Sequence, residues 1–226
     1  MLSHVPFDGW TWEALIKGAK DLNYFNNKLN EQNKRELFNL FNNDLVEIIK
    51  VLNDIIDKTM EEKFIKAKIF KGTIPEKIKK LILLRIESLS SYKESIRISL
   101  GFMSLPQNSK SAILMLYKTC DKMWRLSGDT STDFSFYTKR LILSGVYTST
   151  VLYWINDEAN DLRKTEQFLD RRLKDISKIG SIKKFGNKIL TEKQKIKKIP
   201  LKFFSIFAKN LNQGNVSKIF SSFKKF

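Results

Sequence analysis

Apolar residues recur at intervals of three and four from one end of this 226-residue chain to the other, and only four prolines interrupt them. That spacing collects them on single faces of helices, and no strand-like alternation is sustained anywhere. The expected fold class is therefore all-α. Thr11 is placed to cap a helix from Trp12 to Leu22 that buries Leu15, Ile16 and Ala19. An Asn-rich stretch then leads to Leu37, Phe38, Leu40 and Phe41. A long helix is expected from about Asp44 to Ile69, with Leu45, Ile48, Ile49, Leu52, Ile55 and Ile56 as its buried stripe. Gly72 and Pro75 break the pattern. Ile78, Leu81, Ile82, Arg85, Ile86 and Leu89 resume it, and another helix spans Tyr92 to Met103. Ile113, Leu114, Leu116, Tyr117, Cys120, Met123 and Trp124 form the next stripe, closed by Gly128. Asp129 to Asp133 offers capping oxygens for a helix from Phe134 toward Ile155. Past Lys139 and Arg140 that helix is apolar on nearly every side, the pattern of an element surrounded by others. A last helix, Asp161 to Ile176, turns Leu162, Phe168, Leu169 and Leu173 inward.

The chemistry such a bundle can host is narrowed by what it lacks. Histidine occurs once, as His4, and cysteine once, as Cys120. A zinc site, a histidine-based triad and the Glu-x-x-His pairs of di-iron bundles lack their ligands, and no cofactor is expected. No intrachain disulfide can form, and Cys120 reads as a small core residue. Asp121, Asp129 and Asp133 are the one acidic cluster beside aromatics. Flanking a helix start, they are expected to cap it and to pair with Lys122, Arg125 or Arg140 instead of doing acid–base work. Leu141 to Asn156 is uncharged but short of the ~20 residues of a spanning helix. The N-terminus has neither signal-peptide nor transit-peptide character.

Charge is distributed unevenly. The net charge is +17; Lys174 to Phe226 holds fourteen lysines against Asp175 and Glu192, which is +12, leaving +5 for the rest. Residues 181–198 read as a basic linker. Beyond it, Lys198, Lys202, Ser205, Lys209 and Asn212 make one polar stripe, with Ile199, Phe203, Phe204, Ile206, Phe207 and Leu211 opposite. A helix of that kind suits a membrane interface, its rings among acyl chains and its ammonium groups near anionic headgroups. The alternative is that this helix packs on the domain or on a second subunit; phosphodiesters would attract the lysines equally but make no use of the rings. In residues 1–41, Lys17, Lys20, Lys28, Lys34 and Arg35 are balanced by Asp8, Glu13, Asp21, Glu31 and Glu36. A DNA-reading head needs a surplus there.

Four segments carry a resemblance. They are His4 to Thr11 with Ala14-Leu15, Asp121 to Arg125 running into Gly128 to Phe134, Tyr137 to Arg140 leading to Tyr147, and Thr165 to Arg172. In these the chain resembles the COQ-nine family of ubiquinone-biosynthesis accessory proteins. The resemblance implies a fold like that of TetR-type regulators: a degenerate helix-turn-helix region (1–42), a lipid-binding helical domain (43–180), the linker, and a membrane-associating helix (199–226). It implies a non-enzymatic protein that binds ubiquinone precursors or other isoprenoid lipids, docks on membrane phospholipids, and presents polyprenyl aromatic intermediates to the di-iron demethoxyubiquinone hydroxylase. The expected place is the cytoplasmic face of a bacterial inner membrane, or the matrix side of the mitochondrial one. Nominated for the lipid cavity are Met103, Met115, Met123, Trp124, Phe134, Tyr137, Leu141, Tyr147 and Trp154, any of which also suits an ordinary core. Membrane contact falls to Lys198, Lys202, Phe203, Phe204, Ile206, Phe207, Lys209 and Leu211. Tyr137, Lys139 and Arg140 are nominated as a partner surface, although a structural salt bridge explains the two charges equally well. Homodimerisation is compatible with the pattern, and no nucleic-acid partner is expected. The rival reading is a TetR-type DNA-binding transcription regulator. One departure stands out: the family has a full helix before the Val-Pro motif, whereas only Met1 to His4 precede Val5 here. Either the start lies upstream, or the N-terminal region lacks its first helix.

Overall fold

The computed structural model describes residues 1–25, 30–67, 71–132, 134–159 and 161–178. Among them there is no strand, so the all-α expectation holds and is consistent with a TetR-like bundle. The helices are α1 (Val5–Asp8), α2 (Trp12–Asp21), α3 (Glu31–Asn39), α4 (Leu45–Lys66), α5 (Ile74–Leu89), α6 (Lys93–Met103), α7 (Ser109–Leu126), α8 (Phe134–Asn156) and α9 (Arg163–Lys178), with a 3₁₀ turn at Ser90–Tyr92. Residues 179–226 lie outside the described residues, and with them the expected linker, the amphipathic segment and every nominated membrane contact.

Two compact units are present. The first comprises Met1–Lys63 and Arg85–Met115; the second comprises Phe64–Leu84 and the described part of Leu116–Phe226. Helices α4, α5 and α7 supply residues to both.

In the first unit, Thr11 caps α2 as its position predicts, its Oγ1 accepting from the Ala14 N–H at 3.2 Å. Asn30 does the same for α3, accepting from the Asn33 N–H at 2.7 Å. Val5, Trp10, Leu15, Ala19, Leu37, Ile48 and Ile49 belong to one buried cluster. Each large side chain fully buried there contributes about 1.5–3 kcal/mol. Polar ties fix the segment before α2. The Trp10 indole donates to Ser99 Oγ at 2.8 Å, and Ser99 Oγ donates to the Ser95 carbonyl. Ser95 Oγ donates to the Leu2 carbonyl at 2.6 Å. Gly18 gives the Met1 backbone room that a methyl group would take away.

Three residues placed on apolar stripes face outward: Ile55 is 57% exposed, Leu114 58% and Leu40 63%. The α4 case has a visible cause. Ile49, Ile56, Asp57 and Met60 occupy its inward arc, and Ile55 falls on the other side. Asp57 is held inside because Arg85 Nε donates to its Oδ1 at 2.7 Å, while Arg85 Nη2 donates to Asn53 Oδ1 at 2.6 Å. Both charges are almost completely buried, so the pair stands or falls together.

In the second unit, α8 is buried on most sides, with Leu143, Val146, Tyr147, Val151, Trp154 and Ile155 in the core. Its interior hydroxyls are satisfied within the helix: Ser144 donates to the Arg140 carbonyl, and Ser149 and Thr150 donate to that of Val146. Cys120 on α7 is fully buried, 3.4 Å from Ser144 Oγ. The Tyr153 and Phe168 rings stack at 4.4 Å between centroids, joining α8 to α9. Lys79 of α5 meets Glu166 and Asp170 of α9, each at 2.8 Å.

Candidate functional site

A dense polar arrangement in the second unit lies where α7 hands over to α8. Gly128 makes the handover, with φ at +95°, a value side chains rarely adopt. The Gly128 N–H reaches the Arg125 carbonyl and the Asp129 N–H that of Trp124, so the end of α7 is satisfied. The chain then returns as α8, nearly two turns into which stands Arg140.

Arg140 is the largest of the fully buried side chains among the described residues. Its Nε donates to Asp121 Oδ1 at 2.6 Å and its Nη1 to Asp129 Oδ2 at 3.2 Å and to the Phe136 carbonyl at 3.0 Å. The guanidinium carbon lies 3.3 Å from the Phe136 ring centroid, a cation–π contact out of water. Arg125 supplies a second cation to Asp121 at 2.7 Å, and Lys139 a second to Asp129 at 2.7 Å. Ser131 Oγ also donates to Asp129. Burial pushes the Asp129 carboxyl up, but the hydrogen bonds from Lys139, Ser131 and Arg140 outweigh it and hold it below the usual carboxylate range. Asp129 is thus kept as an anion, the opposite of a raised-pKa proton donor. Burial raises the neighbouring Tyr117 hydroxyl above its ordinary value, more than Arg140 lowers it. The Trp124 indole donates to the Lys139 carbonyl at 3.0 Å, tying α7 to the first turns of α8. The arrangement is a charge-compensated clasp. It ties residues 127–132 to α8, where the Phe136 and Tyr137 rings meet edge to face, 5.1 Å apart.

Against this geometry the nominated residues separate. Met123, Tyr147 and Trp154 are buried in the second unit, and Trp124 and Leu141 partly so. Met103 and Met115 belong to the first unit, packed with its core cluster. The side chain of Phe134 lies outside what is described. Tyr137 is 64% exposed, so it does not line an enclosed interior, whereas exposure suits a contact surface. Arg140 cannot share that surface, because its side chain is only 1% exposed and engaged by two carboxylates. Lys139 is occupied by Asp129 and partly buried. The expectation that Asp121 and Asp129 pair with Arg125 and Arg140 holds; Asp133 is not described. One participant of the clasp, and one buried pair in the first unit, escaped the sequence reading. Phe136 was signalled only by its place one helical turn before Arg140. The Asp57–Arg85 pair was half visible, since Arg85 stands on an apolar stripe.

Among the described residues, no three His, Cys, Asp or Glu side chains converge as a metal site would need. No helix among them is long and apolar enough to cross a membrane.

A family model described as COQ9 matches residues 110–180, which takes in the clasp and α9. The rat protein "Ubiquinone biosynthesis protein COQ9, mitochondrial" is 30% identical over 188 residues, covering 79% of this chain and 57% of the relative. The Xenopus laevis protein COQ9-B, mitochondrial, is 30% identical over 186 residues, 80% of this chain and 61% of the relative. A Dictyostelium discoideum protein named "Probable ubiquinone biosynthesis protein coq9, mitochondrial" is 28% identical over 206 residues, 87% of this chain and 65% of the relative. The chain thus spans less than two thirds of the length of each.

Proposed function

This chain is a homologue of the COQ9 proteins, and on that footing we propose that it serves ubiquinone biosynthesis as a non-catalytic, lipid-binding accessory protein. The observation that carries the reading is the COQ9 match over residues 110–180, which contains the whole Asp121–Asp129–Arg140 clasp. The proposed ligands are polyprenyl aromatic precursors of ubiquinone or other isoprenoid lipids, received among apolar residues such as Met123, Tyr147 and Trp154. The proposed partner is the di-iron hydroxylase that acts on demethoxyubiquinone, approached through exposed Tyr137. Membrane phospholipids would be met by Lys198 to Leu211, where rings and lysines take opposite sides of a helical projection. The relatives are named mitochondrial, which supports a mitochondrial over a bacterial address; the matrix side of the inner membrane is the proposed place.

Lipid extraction and mass spectrometry of protein purified from a quinone-making host test the ligand. An isoprenoid that co-purifies in near-stoichiometric amount is the expected result; none, from protein that is folded, overturns it. Flotation with anionic liposomes tests docking: a form ending at Ile196 is expected to stay behind while the full chain rises.

Retention of a DNA-reading role is disfavoured by the first unit. Lys17 is engaged by Asp8 at 2.8 Å and Lys34 by Glu31 at 2.6 Å, so two of the four cations of α2 and α3 are turned to neighbouring carboxylates. A salt-dependent shift of duplex DNA that survives removal of residues beyond Ile196 would reverse this.

A further inference from the structure

Helix α9 presents a row of exposed cations to solvent, among them Arg171, whose guanidinium lies 6.0 Å from the Phe168 ring centroid. At about 100° per residue, Arg163, Lys164, Gln167, Arg171 and Lys174 fall within an arc of roughly 100°. All five are exposed, and the opposite side carries fully buried Thr165 and Leu169. No acidic residue lies inside that arc. Glu166 and Asp170 occupy one flank, where Lys79 of α5 holds both. Asp175 stands beyond the other edge, next to Arg172. Asp161, before the first turn, meets Arg163 at 2.7 Å yet leaves that side chain 85% exposed. Four cationic heads therefore line about 16 Å of helix.

An exposed charged row is often no more than a solvated face. Here the sign persists along the chain: residues 179–198 hold seven lysines against Glu192 alone, and the stripe of Lys198, Lys202 and Lys209 follows. We infer that the outer face of α9 is a second contact for an anionic phospholipid surface, engaged when the C-terminal segment docks. The inference rests on the docking proposed above for Lys198 to Leu211. Because both contacts belong to one chain, and Lys174 and Lys198 are 24 positions apart, engagement of one raises the effective concentration of the other. Nucleic acid would satisfy the cations but leave Phe203, Phe204 and Phe207 without apolar surroundings; a bilayer satisfies both. A second copy of the chain would set like charges face to face.

The test is sedimentation of the full chain with phosphatidylcholine vesicles, with and without phosphatidylglycerol. In one variant Arg163, Lys164, Arg171 and Lys174 are each changed to Gln; in a second the two arginines become Lys and the two lysines Arg. In a third, Phe203 and Phe207 become Asp. At about fivefold per cation near such a surface, the Gln variant should lose at least tenfold in partition to anionic vesicles. Binding to neutral vesicles and the melting temperature should not change, and the charge-conserving variant should bind like wild type. If the Gln variant binds anionic vesicles as wild type does while the Phe203/Phe207 variant is released, the α9 contact is refuted and tail docking stands. If instead the Phe203/Phe207 variant binds undiminished and the Gln variant is released, tail docking falls, and with it the reading of α9 as a second contact engaged through the tail. A Gln variant that loses duplex DNA but keeps vesicles also overturns the inference.

Discussion

Arg140→Met separates the charge of the α7–α8 clasp from its bulk. Methionine nearly fills the volume and keeps contact with the Phe136 ring, but removes the shared cation from Asp121 and Asp129. Uncompensated, a buried charge left behind costs about 3–5 kcal/mol. Asp121 keeps Arg125 at 2.7 Å and is 22% exposed, while Asp129, 3% exposed, keeps Lys139 at 2.7 Å and Ser131. Each carboxylate thus loses one of two cations, which puts the expected loss at the low end, about 3 kcal/mol. For a chain of this size that is a fall in melting temperature of roughly 6–12 °C. The pH dependence follows with a definite sign. Asp129 has a lowered folded-state pKa, so the stability it brings is present above its unfolded-state pKa and lost as pH falls through the folded value. Losing Arg140 raises that folded pKa, and acid unfolding should begin at higher pH than in wild type. Urea unfolding at neutral pH and acid titration by circular dichroism measure both effects. A loss below about 1 kcal/mol, or an unchanged acid midpoint, would show that Lys139, Arg125 and Ser131 suffice and that the shared guanidinium is dispensable.

Three further outcomes can be checked by the same unfolding assay. Arg85→Met alone should cost about 3–5 kcal/mol by stranding Asp57, whereas the double change with Asp57→Leu should recover most of it; equal losses in both would sink the paired reading. Trp10→Phe removes the indole donor to Ser99 and should cost about 1 kcal/mol, with Ser99→Ala adding little in the Phe background. Gly128→Ala places a side chain at φ +95° and should cost about 1 kcal/mol although open space surrounds the site.

Helix periodicity made most of the fold readable, because each helix buries one face and the spacing of Ile48, Ile49 and Ile56 or of Cys120 and Met123 states which. Helix α3 was legible only as its last apolar residues. It buries Leu37 and leans on the Asn30 cap and on side-chain pairs such as Glu31–Lys34, features an apolar pattern does not register. Helix α1 is too short to show a period; Pro6 in its first turn was its one local sign. The outward turn of Ile55 was hidden because the partner that draws Asp57 inside lies 28 positions away at Arg85. The clasp was foreseen as pairs, since acids flanking a helix start seek cations nearby. That Arg140 would be sealed from solvent, and so lost to a partner surface, depends on packing that no spacing encodes. The two units interleave segments far apart in sequence, which a linear reading of composition has no means to divide.

The single thiol of the chain sits at the seam between α7 and α8, wholly covered. A thiol reagent can reach Cys120 only when those helices part, so its reaction rate in the intact protein is the intrinsic thiol rate scaled by the fraction of time the seam stands open. One native residue thereby turns a colorimetric reagent into a clock for local opening. Run with and without added lipid, that clock would time how often the second unit admits anything from outside.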